Sequence, residues 1–193
     1  MSDSKLLFTQ RLISPLKQAE TQILVSVLES TGLILFLLKF PLASIEFVRE
    51  LTDDDGNPIN GQYDFKLQTI QVGLHRSNNR DYGQIYEKLK FWSISCLALT
   101  AQQAVQRTLV HEVGHHIYNF LLKYHLDLFH HTTLMPSSFA LGHYGLKNTR
   151  EYFAESLTAF IFQRTELFID DSRGYAMIQM VLARLDLDLQ EQP

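Results

Sequence analysis

The chain has 193 residues, 46% of them apolar, which is enough for one domain with a sizeable core. A formal charge of −4 and a pI near 6.0, with Lys and Arg scattered rather than grouped, argue against nucleic acid as a partner. Cys96 is the only cysteine, so neither an intrachain disulfide nor a cysteine-rich zinc site is available, and any metal must be held by His and carboxylates.

Near the start, Lys5 precedes only Leu6-Leu7-Phe8 before Thr9, Gln10 and Arg11 interrupt the apolar run, and no small-residue cleavage site follows. The expectation is a cytoplasmic protein, or one exported by a route that needs no N-terminal signal peptide. Ser14-Pro15 reads as an N-cap with proline at the first helical position, opening a helix through Leu16, Ile23, Leu24, Val27 and Leu28 to a stop at Thr31-Gly32. Ile23 to Phe40 is the greasiest region, but Ser26, Glu29, Ser30, Thr31 and Lys39 divide it. Its uninterrupted apolar part, Leu33 to Leu38, is too short to span a bilayer and is expected in the core.

After Pro41, Ser44 to Leu51 reads as a strand, Asp53-Asp54-Asp55-Gly56-Asn57-Pro58 as a turn, and Thr69 to Leu74 as a second strand. The Asp run lacks the ligand spacing and terminal Glu of a calcium loop, which leaves a solvated turn. Ser77 to Asp81 is a polar connector, a helix is expected over Tyr82 to Phe91, and Cys96 in its apolar run is an inert buried thiol.

Thr100-Ala101-Gln102-Gln103 is an N-cap with a capping-box Gln, and a long helix is expected from there through Lys123. Leu109, Val113, Ile117, Phe120 and Leu121 supply its apolar stripe. Within it stands His111-Glu112-Val113-Gly114-His115. Residues i and i+4 lie nearly above one another on a helix, so both imidazoles can reach one metal ion while Glu112 projects beside it as a base.

Further on, Met135-Pro136-Ser137-Ser138 is a loop, and Asn148-Thr149-Arg150-Glu151 is an Asx cap opening a helix expected over Thr149 to about Phe168. Asp170-Asp171-Ser172 caps a last helix carrying Tyr175, Ile178, Met180, Val181 and Leu182. Catalytic zinc sites usually take three protein ligands and keep a position open. The metzincin continuation needs Gly at 118 and His at 121, but the chain has Tyr118 and Leu121. Glu151 and Glu155 share one helical face and remain the candidates: one to ligate, the other to accept an N–H from a ligand imidazole. A solvated acidic face, with Glu151 serving only the cap, is the other reading of the pair. His116 points away from the 111/115 face, and His125, His130, His131 and His143 carry no assigned role.

Taken together, the His111 to His115 motif, Glu151-Tyr152-Phe153-Ala154-Glu155 and Tyr144 seven residues before Glu151 resemble the anthrax lethal factor and Pro-Pro endopeptidase family of zinc peptidases, which are gluzincins. Gly61-Gln62-Tyr63-Asp64 before a strand is also similar to a region of that family. The resemblance covers roughly Gly61 to Phe168 and is weak before that. It implies Zn2+ held by His111, His115 and Glu151, Glu112 as general base, Glu155 bonded to a ligand imidazole, and the Tyr144 phenol donating to the oxyanion. It also implies a protein or peptide substrate laid as an extended strand beside Thr69, Ile70, Gln71, Val72, Gly73 and Leu74. An ordinary interior strand is the other reading of that run.

The fold expected is α+β: a zincin-like metallopeptidase domain spanning 1–193, with a small sheet and helices up to residue 123 and a helical C-terminal lobe from 124. The alternative function is an inactive zinc-binding regulatory protein or a toxin-associated interaction domain.

Overall fold

The computed structural model describes residues 12–74, 100–127 and 148–187, which form a mixed α+β fold of six helices and one four-stranded sheet. The strands are β1 (Leu12–Ile13), β2 (Ser44–Val48), β3 (Gly61–Asp64) and β4 (Thr69–Gly73), in the order β1-β2-β4-β3. β1, β2 and β4 run parallel, and β3 returns antiparallel at one end. Period-two alternation buries Ile45 and Phe47 of β2 and Ile70 and Val72 of β4 on one face. The other face is polar: Gln71 donates to Glu46 across the strands at 3.0 Å.

The strand expected over Ser44 to Leu51 ends at Val48, and the Asp53 turn follows it as expected. The Asp53 carboxylate accepts the N–H groups of Asp55 at 3.0 Å and Asn57 at 2.8 Å, an exposed Asx turn that leaves the oxygen satisfied without a cation. Gly61-Gln62-Tyr63-Asp64 precedes the strand β4, as expected, and is itself a strand, β3. Asp64 then closes the hairpin by accepting from the N–H groups of Lys66 and Leu67.

The helices are α1 (Gln18–Ser30), α2 (Leu33–Lys39), α3 (Ala101–Tyr124), α4 (Thr149–Phe162), α5 (Arg164–Asp170) and α6 (Ser172–Arg184). α1 starts later than Ser14-Pro15 suggested. Ser14 instead accepts the Leu16 N–H at 3.1 Å and the Thr21 hydroxyl at 2.8 Å, and Glu20 caps the helix from inside through the Lys17 N–H. Ile23, counted with the apolar face, is 49% exposed, while Leu24, Val25, Val27 and Leu28 are buried. The helix expected from Thr149 to Phe168 breaks at Gln163, where Arg164 lies 4.1 Å over the Phe160 ring and donates to the Phe160 carbonyl. No Gly or Pro marks that break; it turns Leu167 back into the core.

α3 is the central element. Its predicted capping box is present, with Gln103 N–H on the Thr100 hydroxyl and Gln103 Oε1 on the Thr100 N–H, both at 3.1 Å. Its sides are enclosed by α4 and by the sheet, so polar Gln106, Arg107, Thr108, His111, Glu112, His115 and His116 are buried along with the apolar stripe. A helix buried all round has to satisfy those groups internally. Gln106 reaches the Ile23 carbonyl at 3.0 Å, and Arg107 lies 4.8 Å over the Phe162 ring. No single helix among the described residues is long and apolar enough to cross a membrane.

Candidate metal centre

Two faces of α3 build the site. His111, Gly114 and His115 face α4, while Thr108, Glu112 and His116 face β3. The first face closes on α4 because Gly114 has no side chain: a Cβ there would stand 2.9 Å from the Ala154 Cα and 3.2 Å from its Cβ. Ala154 is one turn beyond Glu151, so the same small-residue contact that joins the helices carries Glu151 to the histidines.

Nε2 of His111 lies 3.2 Å from Glu151 Oε2, and Nε2 of His115 lies 3.3 Å from the same oxygen. The two rings are nearly perpendicular, with centroids 4.7 Å apart. Ligand atoms of His111, His115 and Glu151 all fall within 4.8 Å of one another, a largely buried group that can hold a metal ion. Tetrahedral zinc with bonds of about 2.0 to 2.1 Å separates neighbouring ligand atoms by roughly 3.3 to 3.4 Å, so the two His–Glu separations fit without rearrangement. Glu155 takes the other role open to the pair: its Oε1 is 3.2 Å from His111 Nδ1. Its Oε2 is buried without a hydrogen-bond partner among the described residues.

On the second face, β3 runs beside α3 with Gly61 opposite Glu112. A Cβ at Gly61 would stand 2.5 Å from Glu112 Oε1 and 2.6 Å from Thr108 Cγ2, so only glycine leaves the carboxylate its place. Two residues on, and hence on the same strand face, the Tyr63 hydroxyl meets His116 Nδ1 at 3.0 Å. The other ring nitrogen of His116 meets the Phe40 carbonyl at 3.0 Å. His116 is thus a buried pin fastening α3 to β3 and to the end of α2.

The electrostatics follow from burial. It pushes the Glu112 carboxyl up to about 7, against the opposing pull of His111 and Arg150, and depresses His115 to about 4. Burial alone would also raise Glu151, but hydrogen bonds from His111 and His115 outweigh it and hold that carboxyl well below its ordinary range. His111 shows the converse: desolvation disfavours its charge, yet Glu151 and Glu155 lift its proton affinity well above the usual imidazole value. A cation is therefore favoured where His111 Nε2 faces Glu151. The donor set of two imidazoles and a carboxylate suits a divalent transition-metal ion.

The geometry thus brings together His111, Glu112, His115, Glu151 and Glu155. Tyr144 lies outside the described residues, as do His130, His131, His143, Cys96 and the helix expected over Tyr82 to Phe91. The expectation for Thr69 to Leu74 is corrected: β4 sits between β2 and β3, hydrogen-bonded on both sides, and has no free edge for a substrate. Among the described residues β3 is the terminal strand, and it is β3 that borders Glu112. Sequence reasoning also passed over Arg150, whose Nε–H donates to His115 Nδ1 at 3.3 Å, and over Gly61 and Gly114. For Gly114 a signal existed: a helix breaker at i+3 from His111, inside an otherwise strong helical pattern. No protein-family model, curated protein or solved structure matches this chain.

Proposed function

We propose that the protein is a zinc endopeptidase of the gluzincin type, a zincin-like domain akin to the lethal factor and Pro-Pro endopeptidase family. The observation that carries this reading is the convergence of His111 Nε2, His115 Nε2 and Glu151 Oε2 with a buried carboxylate, Glu112, on the adjoining face of the same helix. His111, His115 and Glu151 would hold the zinc, which when bound acidifies a water and polarises the substrate carbonyl. Glu112 takes a proton from the attacking water and returns it to the amine as the peptide bond breaks. Glu155 orients His111 through Nδ1, fixing the tautomer that leaves Nε2 free for the metal.

Tyr144 is proposed as the donor to the oxyanion. The substrate is proposed to lie extended along β3 rather than β4, since backbone pairing requires a strand edge beside the base, and β3 is the edge strand there among the described residues. Metal analysis together with a mixed peptide library tests the reading. The expected result is stoichiometric zinc, lost in His111→Ala, and cleavage abolished by Glu112→Gln. A folded protein without zinc would remove the peptidase reading, and zinc without cleavage would leave an inactive metal-binding protein.

A further inference from the structure

We infer that Arg150 opposes metal loading by holding His115 in the tautomer that cannot ligate, so that the affinity of the centre is set by the release of this side chain. The inference rests on the metal-centre reading above. His111 and His115 present the same atom, Nε2, to Glu151 Oε2, at 3.2 and 3.3 Å. Their Nδ1 atoms face opposite partners. At His111, Nδ1 lies 3.2 Å from Glu155 Oε1, an acceptor, so Nδ1 carries a ring proton and the proton on Nε2 is the one a metal would replace. At His115, Nδ1 receives the Nε–H of Arg150 at 3.3 Å.

A guanidinium has no acceptor, so His115 Nδ1 must be the bare nitrogen and Nε2 the protonated one. A neutral imidazole carries one ring proton. His115 therefore cannot keep the hydrogen bond from Arg150 and at the same time offer Nε2 to a metal. Loading requires the proton to move to Nδ1, where it would face the Arg150 N–H donor to donor, and the guanidinium has to withdraw.

The surroundings allow that withdrawal. Arg150 stands in the first turn of α4, is partly exposed, and has no ion-pair partner among the described residues. Its guanidinium carbon is 5.8 Å from the centroid of the Tyr63 ring, at the outer limit of a cation–π contact. Tyr63 is itself fixed through His116, so the ring is a standing alternative site for the charge.

Zinc affinity, measured by competition with a chelating indicator, reads the effect without recourse to activity. Arg150→Gln can turn its amide oxygen to His115 Nδ1–H and is expected to bind zinc roughly tenfold more tightly than the parent chain, the order that hydrogen-bond partners of ligating imidazoles carry. Arg150→Leu, which removes the donor without supplying an acceptor, is expected between the two. Nitrogen-15 shifts of the metal-free His115 ring give a second readout: Nε2–H in the parent and Nδ1–H in Arg150→Gln. A change of surface charge alone would not move that tautomer. Equal or weaker zinc binding in Arg150→Gln, or an Nδ1–H ring in the metal-free parent, overturns the inference while leaving a His111-dependent centre intact. No zinc binding by the parent or by either variant removes the metal centre and this inference together.

Discussion

Glu112 sits where burial and chemistry pull against each other. An ordinary carboxyl would be ionised at neutral pH, but enclosure by α3, α4 and β3 holds this one up to about 7. In the metal-free protein that has a stability consequence with a definite sign. The folded state keeps its proton to higher pH than the unfolded state, so the contribution is fully present below about 4.5 and is lost as pH rises through about 7. Chelated parent protein should lose on the order of 3 kcal/mol relative to Glu112→Gln across that window, by denaturant titration at successive pH values. A pH-independent difference between the two would show that Glu112 titrates normally. In the loaded protein the same variant should retain zinc while turnover falls by roughly 10²- to 10⁴-fold, the usual weight of a general base. Glu112 and the two imidazoles were legible as residues because i, i+4 spacing is a property of any helix. Arg150 was not, because its side chain meets His115 across two helices rather than along one.

Among the elements, two glycines decide how closely α3 is approached, and they separate binding from chemistry. At Gly114, alanine would gain about 1 kcal/mol of helix propensity, but its Cβ would meet the Ala154 backbone at 2.9 Å. Overpacking against a backbone atom costs about 1 to 3 kcal/mol, so the net effect expected for Gly114→Ala is destabilisation. The melting temperature should fall and zinc should bind more weakly as Glu151 recedes; unchanged zinc affinity would mean that the α3 to α4 contact does not set the site. Gly61→Ala acts on the other face. Its Cβ would displace the Glu112 carboxylate, so zinc stoichiometry should hold while turnover drops by on the order of 10²-fold. If turnover persisted, β3 would not constrain the base. The limits of α3 and the start of α4 were legible because capping side chains act locally. The break at Gln163 was not, since it answers to the packing of Leu167 and to the stacking of Arg164 on Phe160.

For the whole molecule, the proposed centre, which joins α3 to α4, would couple metal binding to global stability. Ligands in one helix and a carboxylate in another form the site only in the native state, so zinc at a thousand times its Kd should add about 4 kcal/mol. In a chain of this length that corresponds to a rise in melting temperature on the order of 10 °C, reversed by chelator and absent in His111→Ala. Indifference of the melting temperature to chelator would place the metal outside the folded core.

At this scale the division between sequence and fold has a plain physical basis. Helical periodicity, caps and turns are short-range, and they determined an α+β chain with a His-Glu-His helix and a carboxylate pair on a second helix. Which strand lies next to that helix depends on the sheet order, and the sheet order depends on pairings between residues far apart in the chain. That is why Thr69 to Leu74, well read as a strand, turned out to be interior, and why, among the described residues, Gly61 to Asp64 holds the edge beside Glu112. The same long-range packing decided which glutamate faces Nε2 and which faces Nδ1, because both share one face of α4 and only the position of α3 tells them apart.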